Sequence, residues 1–417
     1  MVEEIGISIH GSTGSIGRQT LDVIERLKAK LNFKVVALSC GGNIDLLEGQ
    51  ILKHKPEYAA VADEGKAAEL KARLRGRSKT KILGGIESAA AVCGYEEVDL
   101  AVIGTAGFAG LAPTLEAIYK GKRIATANKE TFLAAGKLVI EAANAKGVEI
   151  LPMDSEPSAM WQCLEPEIRP GNGEYHSVIW ELRHGAKHSI DHFLLTGSGG
   201  PFLRNRRAME TATPEQALRH PTWNMGGLIT IRSATMMNKG MERIEASAIF
   251  GVPLDMVKIV IHPQSIVHSG IVLLDGTQKV QQGPHDMRYP IQYALTFPER
   301  IDTGLPRLDL TSGQRFEFEE PDFGQFPALA VAERAGKLGG TAPAVLNAAD
   351  EVAVSSFLSG KIKFMEMVEV TATVLDQHKP IKEPTLEQIY AADRWARECA
   401  AAVIKELKRK GRQRVRI

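Results

Sequence analysis

Short apolar runs alternate with amphipathic stretches from Ile5 to about Leu151, and this rhythm limits the possible folds more than any other feature of the sequence. The runs rich in β-branched and aliphatic residues are Ile5 to His10, Phe33 to Ser39, Tyr58 to Ala62, Leu100 to Ile103, Arg123 to Ala127 and Val148 to Leu151. Strands that alternate with helices build a parallel sheet with helices on both faces. The sequence therefore predicts an α/β fold that begins with a Rossmann-like domain over residues 1–151.

A glycine-rich turn follows the first of these runs. Gly11, Gly14 and Gly17 are spaced as GxxGxxG where the strand gives way to a helix. Glycines at such a turn let the backbone approach a pyrophosphate, and the helix N-terminus supplies N–H groups. The turn predicts a dinucleotide site, with an empty Rossmann-like turn as the alternative.

The end of the second strand indicates which dinucleotide is bound. Cys40-Gly41-Gly42-Asn43 offers no Asp or Glu to hold a ribose diol, so NADP fits better than NAD, although no Arg or Lys stands at this turn either. A second glycine-rich crossover runs from Gly104 to Gly110. It either lines the nicotinamide side or packs a helix closely on the sheet.

Two carboxylates come directly after the apolar run that ends at Leu151. Asp154 and Glu156 flank a hydroxyl at the end of this predicted strand, and carboxylate oxygens suit a hard cation such as Mg²⁺ or Mn²⁺. Glu245 lies six residues past Lys239. A helix from about Lys239 onward would project Glu245 back as a third carboxylate, although a lone helical Glu is more often solvated.

Two later segments carry groups that bind phosphate. Ser198 stands in LTGSGGPF, where free backbone amides form an anion-binding turn, with an ordinary glycine turn as the alternative. Ser233, Asn238 and Lys239 in SATMMNKG supply a hydroxyl, an amide and a cation. These residue types predict a phosphorylated substrate.

The segment HPTWNMG, between the two phosphate-binding segments, has the composition of a closing loop. It places His220, Trp223 and Met225 between glycine-containing segments, which predicts a flap that excludes water from the substrate. A Trp packed in the core is the competing interpretation. Lys129, in Ala127-Asn128-Lys129-Glu130 at the end of a strand, is expected to meet the nicotinamide or the substrate.

Composition limits the possible partners and location. Lys plus Arg number 51 against 50 acidic residues, so no overall field favours nucleic acid or an anionic membrane, and neither partner is expected. The four cysteines are scattered without CxxC spacing, which suits a reducing compartment and a cytoplasmic location. No apolar run approaches the roughly 18 residues of a membrane span.

The sequence changes character twice beyond Leu151. Residues 152–290 mix short strands with Gly, Pro, His and Met, which predicts an α+β catalytic domain that binds metal and substrate. Residues 291–320 are expected to form a linker. Residues 321–417 show helical periodicity and predict a C-terminal helical bundle.

The motifs of this chain and their order resemble those of one enzyme family over nearly the whole chain. GSTGSIG, ANKE, MDSE, LTGSGGPF, HPTWNMG, SATMMNKG, IEA, HPQS and DMRYPI follow one another from residue 11 to residue 291. The chain resembles the 1-deoxy-D-xylulose 5-phosphate reductoisomerases. The resemblance implies rearrangement and NADPH-dependent reduction of that sugar phosphate to 2-C-methyl-D-erythritol 4-phosphate, in non-mevalonate isoprenoid biosynthesis. It also implies a homodimer.

The resemblance also implies roles for individual residues. Asp154, Glu156 and Glu245 would bind Mg²⁺, Mn²⁺ or Co²⁺, and act in catalysis with Lys129 and His220. The residues implied to bind substrate are Ser155, Ser198, His220, Trp223, Met225, Ser233, Asn238 and Lys239. Those implied to bind NADPH are Gly11, Ser12, Thr13, Gly14, Ser15, Ile16, Gly41, Gly42, Asn43, Ala127, Asn128, Lys129, Glu130 and Met287.

Four positions depart from the family pattern. Pro157 stands where the family has His, Arg232 where Asp usually precedes Ser-Ala-Thr, and Leu228 and Gly42 where basic residues are common. These changes lead us to expect turnover below that of a typical member. They also keep two alternatives open: an NADP-dependent dehydrogenase of a phosphorylated aldehyde without rearrangement, and a weakly active nucleotide-binding paralogue.

Overall fold

A seven-stranded parallel sheet forms the N-terminal part of the computed structural model, which describes residues 4–164, 178–183, 188–223, 225–313 and 315–414. Its strands are β1 (Glu4–His10), β2 (Asn32–Cys40), β3 (Tyr58–Val61), β4 (Lys81–Gly84), β5 (Leu100–Ile103), β6 (Arg123–Thr126) and β7 (Ile150–Pro152). They lie in the order β4-β3-β2-β1-β5-β6-β7. The direction of winding reverses between β1 and β5, and ligands of such sheets bind at the carboxyl ends of the strands there. The predicted doubly wound sheet is confirmed.

Helices cover both faces of this sheet. They are α1 (Ser15–Leu27), α2 (Ile44–His54), α3 (Glu64–Arg73), α4 (Ile86–Ala91), α5 (Leu111–Tyr119) and α6 (Lys129–Lys146). The central strands are apolar on both sides, and Ile7, Ile9 and Val102 are fully buried. This is the pattern of parallel strands with both faces covered.

A second sheet carries the central part of the chain. Its strands are β8 (Ile190–Gly197), β9 (Val257–Ile261), β10 (Val267–Leu273) and β11 (Gln278–Gln282), in the order β11-β10-β8-β9. The helices in this region are α7 (Ser155–Leu164), α8 (Val178–Arg183), α9 (Arg206–Glu210), α10 (Pro214–Ala217), α11 (Gly227–Ala234) and α12 (Met237–Phe250). Pro157 lies in the first turn of α7, where a missing N–H costs little.

The remaining helices are α13 (Arg288–Thr296), α14 (Pro327–Leu338), α15 (Ala342–Leu358), α16 (Glu366–Gln377) and α17 (Leu386–Arg414). The last four form the expected C-terminal helices, and α15 is buried around most of its surface. In contrast, α13 packs against the first sheet, and Ile291 belongs to the same core as Ile7. The predicted linker at 291–320 therefore begins inside a packed helix, while the other domain boundaries stay predictions. None of the described helices combines the length and apolar character needed to cross a membrane.

A buried arginine joins these three parts of the molecule. Arg232, in α11, has no exposed surface, and its guanidinium donates to Asp350 Oδ2 and Glu130 Oε1, each at 2.6 Å. It also donates to Asn347 Oδ1 at 2.8 Å. Burial alone would lower the pKa of Arg232, but the charges of Asp350 and Glu130 outweigh it and hold the pKa above its ordinary value. Because Glu130 lies on α6 and Asp350 on α15, one side chain links all three regions.

We expect Arg232→Met to reduce the free energy of unfolding by about 3–5 kcal/mol, because it leaves buried carboxylates without their partner. Urea denaturation followed by circular dichroism measures this loss. Arg334→Met is the control, since Arg334 is 45% exposed and pairs with Asp376 at 2.8 Å, and an exposed pair contributes less than about 1 kcal/mol. Adding Glu130→Gln and Asp350→Asn to Arg232→Met should recover part of the loss. Equal urea midpoints for Arg232→Met and the wild type would contradict the linking role.

Candidate active site

A cavity of about 520 Å³ lies between the glycine turn after β1 and the start of α12. Its volume is typical of a small-molecule site. The predicted site residues that line it are Gly11, Thr13, Gly14, Ser15, Ile16, Gly41, Ala127, Lys129, Glu130, Asp154, Ser155, Glu156, Ser198, His220, Trp223, Met225, Ser233, Asn238, Lys239 and Met287. The nucleotide loop, the acidic residues and the phosphate-binding segments thus meet in one space.

Three carboxylates gather where β7 meets α12. Asp154, Glu156 and Glu242 each offer an oxygen, and these oxygens lie within 4.8 Å of one another. Asp154 and Glu156 are partly buried, whereas Glu242 is buried completely. Burial, followed by repulsion from Glu156, raises the pKa of Glu242. An all-oxygen donor set of excess negative charge fits a hard divalent cation.

The predicted third carboxylate, Glu245, is not part of this group. Lys239 and Glu242 are three residues apart on α12, so they lie only about 60° apart around the helix axis. Glu245 is a further turn away, where it is 1% exposed and its Oε2 has no hydrogen-bond partner among the residues that the structure describes. Burial, followed by repulsion from Asp154, raises the pKa of Glu245 well above its ordinary value. Glu242 therefore replaces Glu245 as the third candidate ligand.

Two buried lysines balance part of the negative charge. Lys129 Nζ lies 2.6 Å from Asp154 Oδ2 and 2.8 Å from Glu242 Oε1, and Lys239 Nζ contacts both Glu156 and Glu242. Burial would lower the pKa of Lys129, but Asp154 and Glu242 outweigh it and raise the pKa well above its ordinary value. Lys129 thus keeps its proton at neutral pH. Its place in the structure is that of a fixed cation that orients carboxylates, not that of a base.

The stem of Lys239 reaches the cavity past a glycine. A Cβ on Gly197 would lie 2.9 Å from Lys239 Cγ, so a larger residue would push the lysine aside. Gly197 is the last residue of β8 and directly precedes Ser198. The LTGSGGPF turn and the SATMMNKG helix are therefore fitted to one another.

His220 joins the two candidate phosphate-binding serines. Its Nε2 lies 3.1 Å from Ser198 Oγ and 2.9 Å from Ser233 Oγ, while its Nδ1 accepts from the backbone N–H of Trp223 at 3.0 Å. With Nδ1 acting as acceptor, we assign the ring proton to Nε2, where this single N–H is shared between the two serine oxygens. Burial, followed by the charges of Lys239 and His285, lowers the pKa of His220 to about 4. The neutral ring leaves the serine hydroxyl protons free to face an anion.

Trp223 lies over the cavity beside two histidines. The centroid of its ring is 5.5 Å from that of His285 and 5.8 Å from that of His268. All three residues line the cavity together with Met225. The indole is thus part of the wall of the site and not of the hydrophobic core.

The glycines of the first turn lie where neighbouring segments of the chain approach the backbone too closely for a side chain. Gly11 has φ +81°, and a Cβ there would lie 2.6 Å from Thr105 Oγ1. A Cβ on Gly17 would lie 2.4 Å from the carbonyl oxygen of Gly11, so only glycine lets α1 start this near the loop. In the second crossover, Gly104 lines the cavity and Gly110 packs against Asn128, while its predicted place beside the nicotinamide stays a prediction.

Four predicted cofactor residues lie outside this cavity. Ser12 donates to Gln50 Oε1 at 2.8 Å, and the Asn128 side chain caps α6 by accepting from the N–H of Thr131. Gly42 and Asn43 border a separate cavity of about 650 Å³ beside α2 and α3. The side chains of Ser12 and Asn128, which were predicted to bind the cofactor, thus bond to the protein outside this cavity.

Comparison with known proteins covers almost the entire chain. Family models for 1-deoxy-D-xylulose 5-phosphate reductoisomerase match residues 7–136 and, for a C-terminal domain, 150–250, and a DXP reductoisomerase C-terminal domain matches residues 282–399. The 1-deoxy-D-xylulose 5-phosphate reductoisomerase of Desulforamulus reducens is 47% identical over 96% of this chain and 98% of its own. The chain belongs to the 1-deoxy-D-xylulose 5-phosphate reductoisomerase family.

Solved structures of this family share the fold. The Zymomonas mobilis reductoisomerase in complex with NADPH has a TM-score of 0.85 and 37% identity, over 97% of this chain and 99% of that one. A reductoisomerase in complex with NADPH, fosmidomycin and magnesium has a TM-score of 0.88 and 36% identity, with the same coverage. Two of the similar proteins were therefore solved with the dinucleotide, and one of them also with a divalent cation.

Sequence reasoning missed some residues of the cavity. Glu242 carried a usable signal, since it stands three residues after Lys239 and so shares its face of a helix. Thr105, His268 and His285 line the same cavity but carried no such signal, because each comes from a segment far away in the chain. Only the tertiary fold, in which α7 lies between the first sheet and β10, brings them together.

We expect Glu242→Gln to weaken the binding of Mn²⁺ to the protein without substrate by at least about 10-fold, the loss that follows removal of even an outer partner of a metal ligand. Glu245→Gln is the matched control and should have a clearly smaller effect. Titration calorimetry and the electron paramagnetic resonance signal of free Mn²⁺ measure both. Weakening by Glu245→Gln as large as that by Glu242→Gln would return Glu245 to the ligand set.

Proposed function

We propose that the protein converts 1-deoxy-D-xylulose 5-phosphate into 2-C-methyl-D-erythritol 4-phosphate, with NADPH as reductant and a divalent cation as cofactor. The observation that carries this proposal is the single cavity that contains the glycine turn, the acidic cluster and the serine pair. Membership of the reductoisomerase family supports it. The NADPH and magnesium of similar solved structures support the choice of cofactors.

The serine end of the cavity would hold the substrate phosphate. Ser198 and Ser233 share the single Nε2 proton of His220, so their own hydroxyl protons can turn toward an anion. Asn238 and Lys239, at the start of α12, add an amide and a charge. A phosphate held there fixes one end of a flexible sugar and orients its ketone.

The acidic end would hold the reacting atoms. Asp154, Glu156 and Glu242 would bind Mg²⁺ or Mn²⁺, with Co²⁺ as a further candidate, and the ion would polarise the ketone and the neighbouring hydroxyl. Lys129 fixes Asp154 and Glu242, and Ser155, which stands between Asp154 and Glu156, would face the sugar backbone. Trp223 and Met225 would cover the sugar and exclude water from the rearranging carbon skeleton.

A dehydrogenase that reduces an aldehyde without rearrangement is the competing function. Direct hydride transfer to an aldehyde does not require a cluster of three carboxylates, so the acidic cluster favours rearrangement. Three of the four departures from the family pattern do not change the lining of the cavity, because Pro157, Leu228 and Arg232 do not border it. Turnover below that of a typical family member stays a prediction.

When the protein is mixed with 1-deoxy-D-xylulose 5-phosphate, NADPH and Mg²⁺, we expect the absorbance of the reduced nicotinamide to fall. We expect the branched polyol phosphate to form at the same time. Ser233→Ala should raise KM for the sugar phosphate about 10-fold or more, the effect of losing one hydrogen bond to a charged group. Its affinity for NADPH, measured by fluorescence, should not change. Product analysis that finds only an unrearranged alcohol would support the dehydrogenase, and NADPH binding without consumption would support the inactive paralogue.

We also propose that the protein is a homodimer. Within the described residues, β11 pairs only with β10 and leaves its outer edge open. Val280 on β11 is 37% exposed and Leu274 nearby is 70% exposed. An open edge strand with apolar side chains readily pairs with a second copy across a twofold axis.

We expect light scattering after size exclusion to give a mass of twice 45.4 kDa for the wild type. Val280→Lys should shift the population toward monomer at low micromolar concentration, because it places like charges opposite each other at the symmetric edge. Lys361→Glu, a change at an exposed position near the end of α15, is the control. A wild-type mass of 45.4 kDa would contradict the dimer, and a dimeric Val280→Lys protein would exclude this edge.

We also propose that the protein is located in the cytoplasm. The thiols of Cys40, Cys93, Cys163 and Cys399 are all free, and the first three are buried. Free thiols without a partner are typical of proteins in reducing compartments. The proposed reaction also uses NADPH, which supports the same location.

A further inference from the structure

The separate cavity beside α2 and α3 adjoins the main cavity at the turn that follows β2. Gly41 lines the main cavity, and the next residue, Gly42, lines this second cavity of about 650 Å³. In a Rossmann-like sheet the adenosine ribose lies at the end of the second strand. A dinucleotide whose pyrophosphate rests on the Gly11 turn would therefore place its ribose at Gly42.

Lys66 occupies the space that a side chain at position 42 would fill. A Cβ on Gly42 would lie 3.0 Å from Lys66 Nζ and 3.1 Å from Lys66 Cδ. Lys66 lies in the first turn of α3, where its N–H is held by the Asp63 cap at 2.9 Å. The loop that carries it is bonded to the β2 turn, because the N–H of Asp63 donates to the carbonyl of Gly41 at 3.3 Å. The position of Lys66 relative to Gly42 is thus fixed by backbone hydrogen bonds.

The other cation of this cavity is already engaged. Arg73 pairs with Asp45 at 2.6 Å and with Glu69 at 2.5 Å, so its charge is offset by two carboxylates. Within the described part of the chain, Lys66 forms no ion pair, and its side chain borders the cavity. A phosphate on the ribose 2′ oxygen needs both charge and hydrogen-bond donors. Lys66 is the group in this cavity that can supply them.

We propose that Lys66 binds the 2′-phosphate of NADPH and sets the preference of this protein for NADPH over NADH. The inference rests on the proposed use of NADPH. It accounts for the absence of a basic residue at the Gly41-Gly42-Asn43 turn, since the cation comes from the neighbouring helix. The absence of a side chain at Gly42 leaves this space to Lys66, and a larger residue there would make the end of the lysine shift.

Titration calorimetry with NADPH, NADH and 2′,5′-ADP, without sugar phosphate, tests this assignment directly. Lys66→Ala should weaken binding of NADPH and 2′,5′-ADP by about 10- to 100-fold, the effect of removing one charge-assisted hydrogen bond. Binding of NADH should change by less than about twofold. Lys71→Ala is the matched control, since Lys71 lies on the same helix, is exposed and does not border the cavity.

A second variant checks that the charge and not the fold is responsible. Gly42→Lys in the Lys66→Ala background places an ammonium group in the space left by Lys66 and should restore most of the NADPH affinity. Equal weakening of NADPH and NADH by Lys66→Ala, or unchanged NADPH binding, would overturn the assignment. A wild type that binds NADH as tightly as NADPH would also overturn it, while rearrangement of 1-deoxy-D-xylulose 5-phosphate with NADH would leave the proposed reaction standing.

Discussion

The arrangement of the three regions depends on the buried guanidinium of Arg232. It lies among Glu130, Asn347 and Asp350, and two of these partners are acidic side chains with almost no exposure. Charges removed from water are tolerated only when each has a close partner of opposite sign. Because these partners belong to α6 and α15, the regions cannot separate without exposing these charges to water or leaving a buried charge unpaired. Ser233 follows Arg232 directly, so the same interaction fixes where the candidate phosphate site begins.

The candidate active site uses a similar balance of charge. Asp154, Glu156 and Glu242 lie close together, and the ammonium groups of Lys129 and Lys239 offset part of their repulsion. The remaining negative charge raises the pKa of the buried Glu242, after burial itself. Both networks hold one carboxylate more than they hold cations, since Arg232 pairs with Glu130 and Asp350. The acidic cluster differs because its three carboxylate oxygens lie within 4.8 Å of one another beside the cavity, and this geometry distinguishes a site fitted to a cation from a structural network.

Most of the fold followed from periodicity and glycine spacing. Six of the seven parallel strands, the turn at Gly11 and the C-terminal helices were predicted because each has a local pattern, whereas β4 at Lys81–Gly84 was missed. The third carboxylate was misassigned for a reason that is also local, since counting six residues from Lys239 ignored the 3.6-residue turn that places Glu242 on the same face. The contributions of Thr105, His268 and His285 could not be predicted, because their segments meet only in the tertiary fold. The role of Ser12 was hidden for the same reason, since its partner Gln50 lies in another segment. The cap that Asn128 forms with Thr131 is local, whereas its bond to Thr105 also joins another segment.

The effect of a departure from the family pattern depends on the residues that surround it in the structure. Taken alone, Gly42 removes a cation and Arg232 introduces one, and each change suggests impaired function. In the structure, Lys66 fills the space beside Gly42, and the acidic side chains of Glu130 and Asp350 surround Arg232. In both places the charge that a single position gains or lacks is balanced by a residue on another helix. A substitution of this kind changes which element supplies a group, and it leaves the chemistry of the cavity in place.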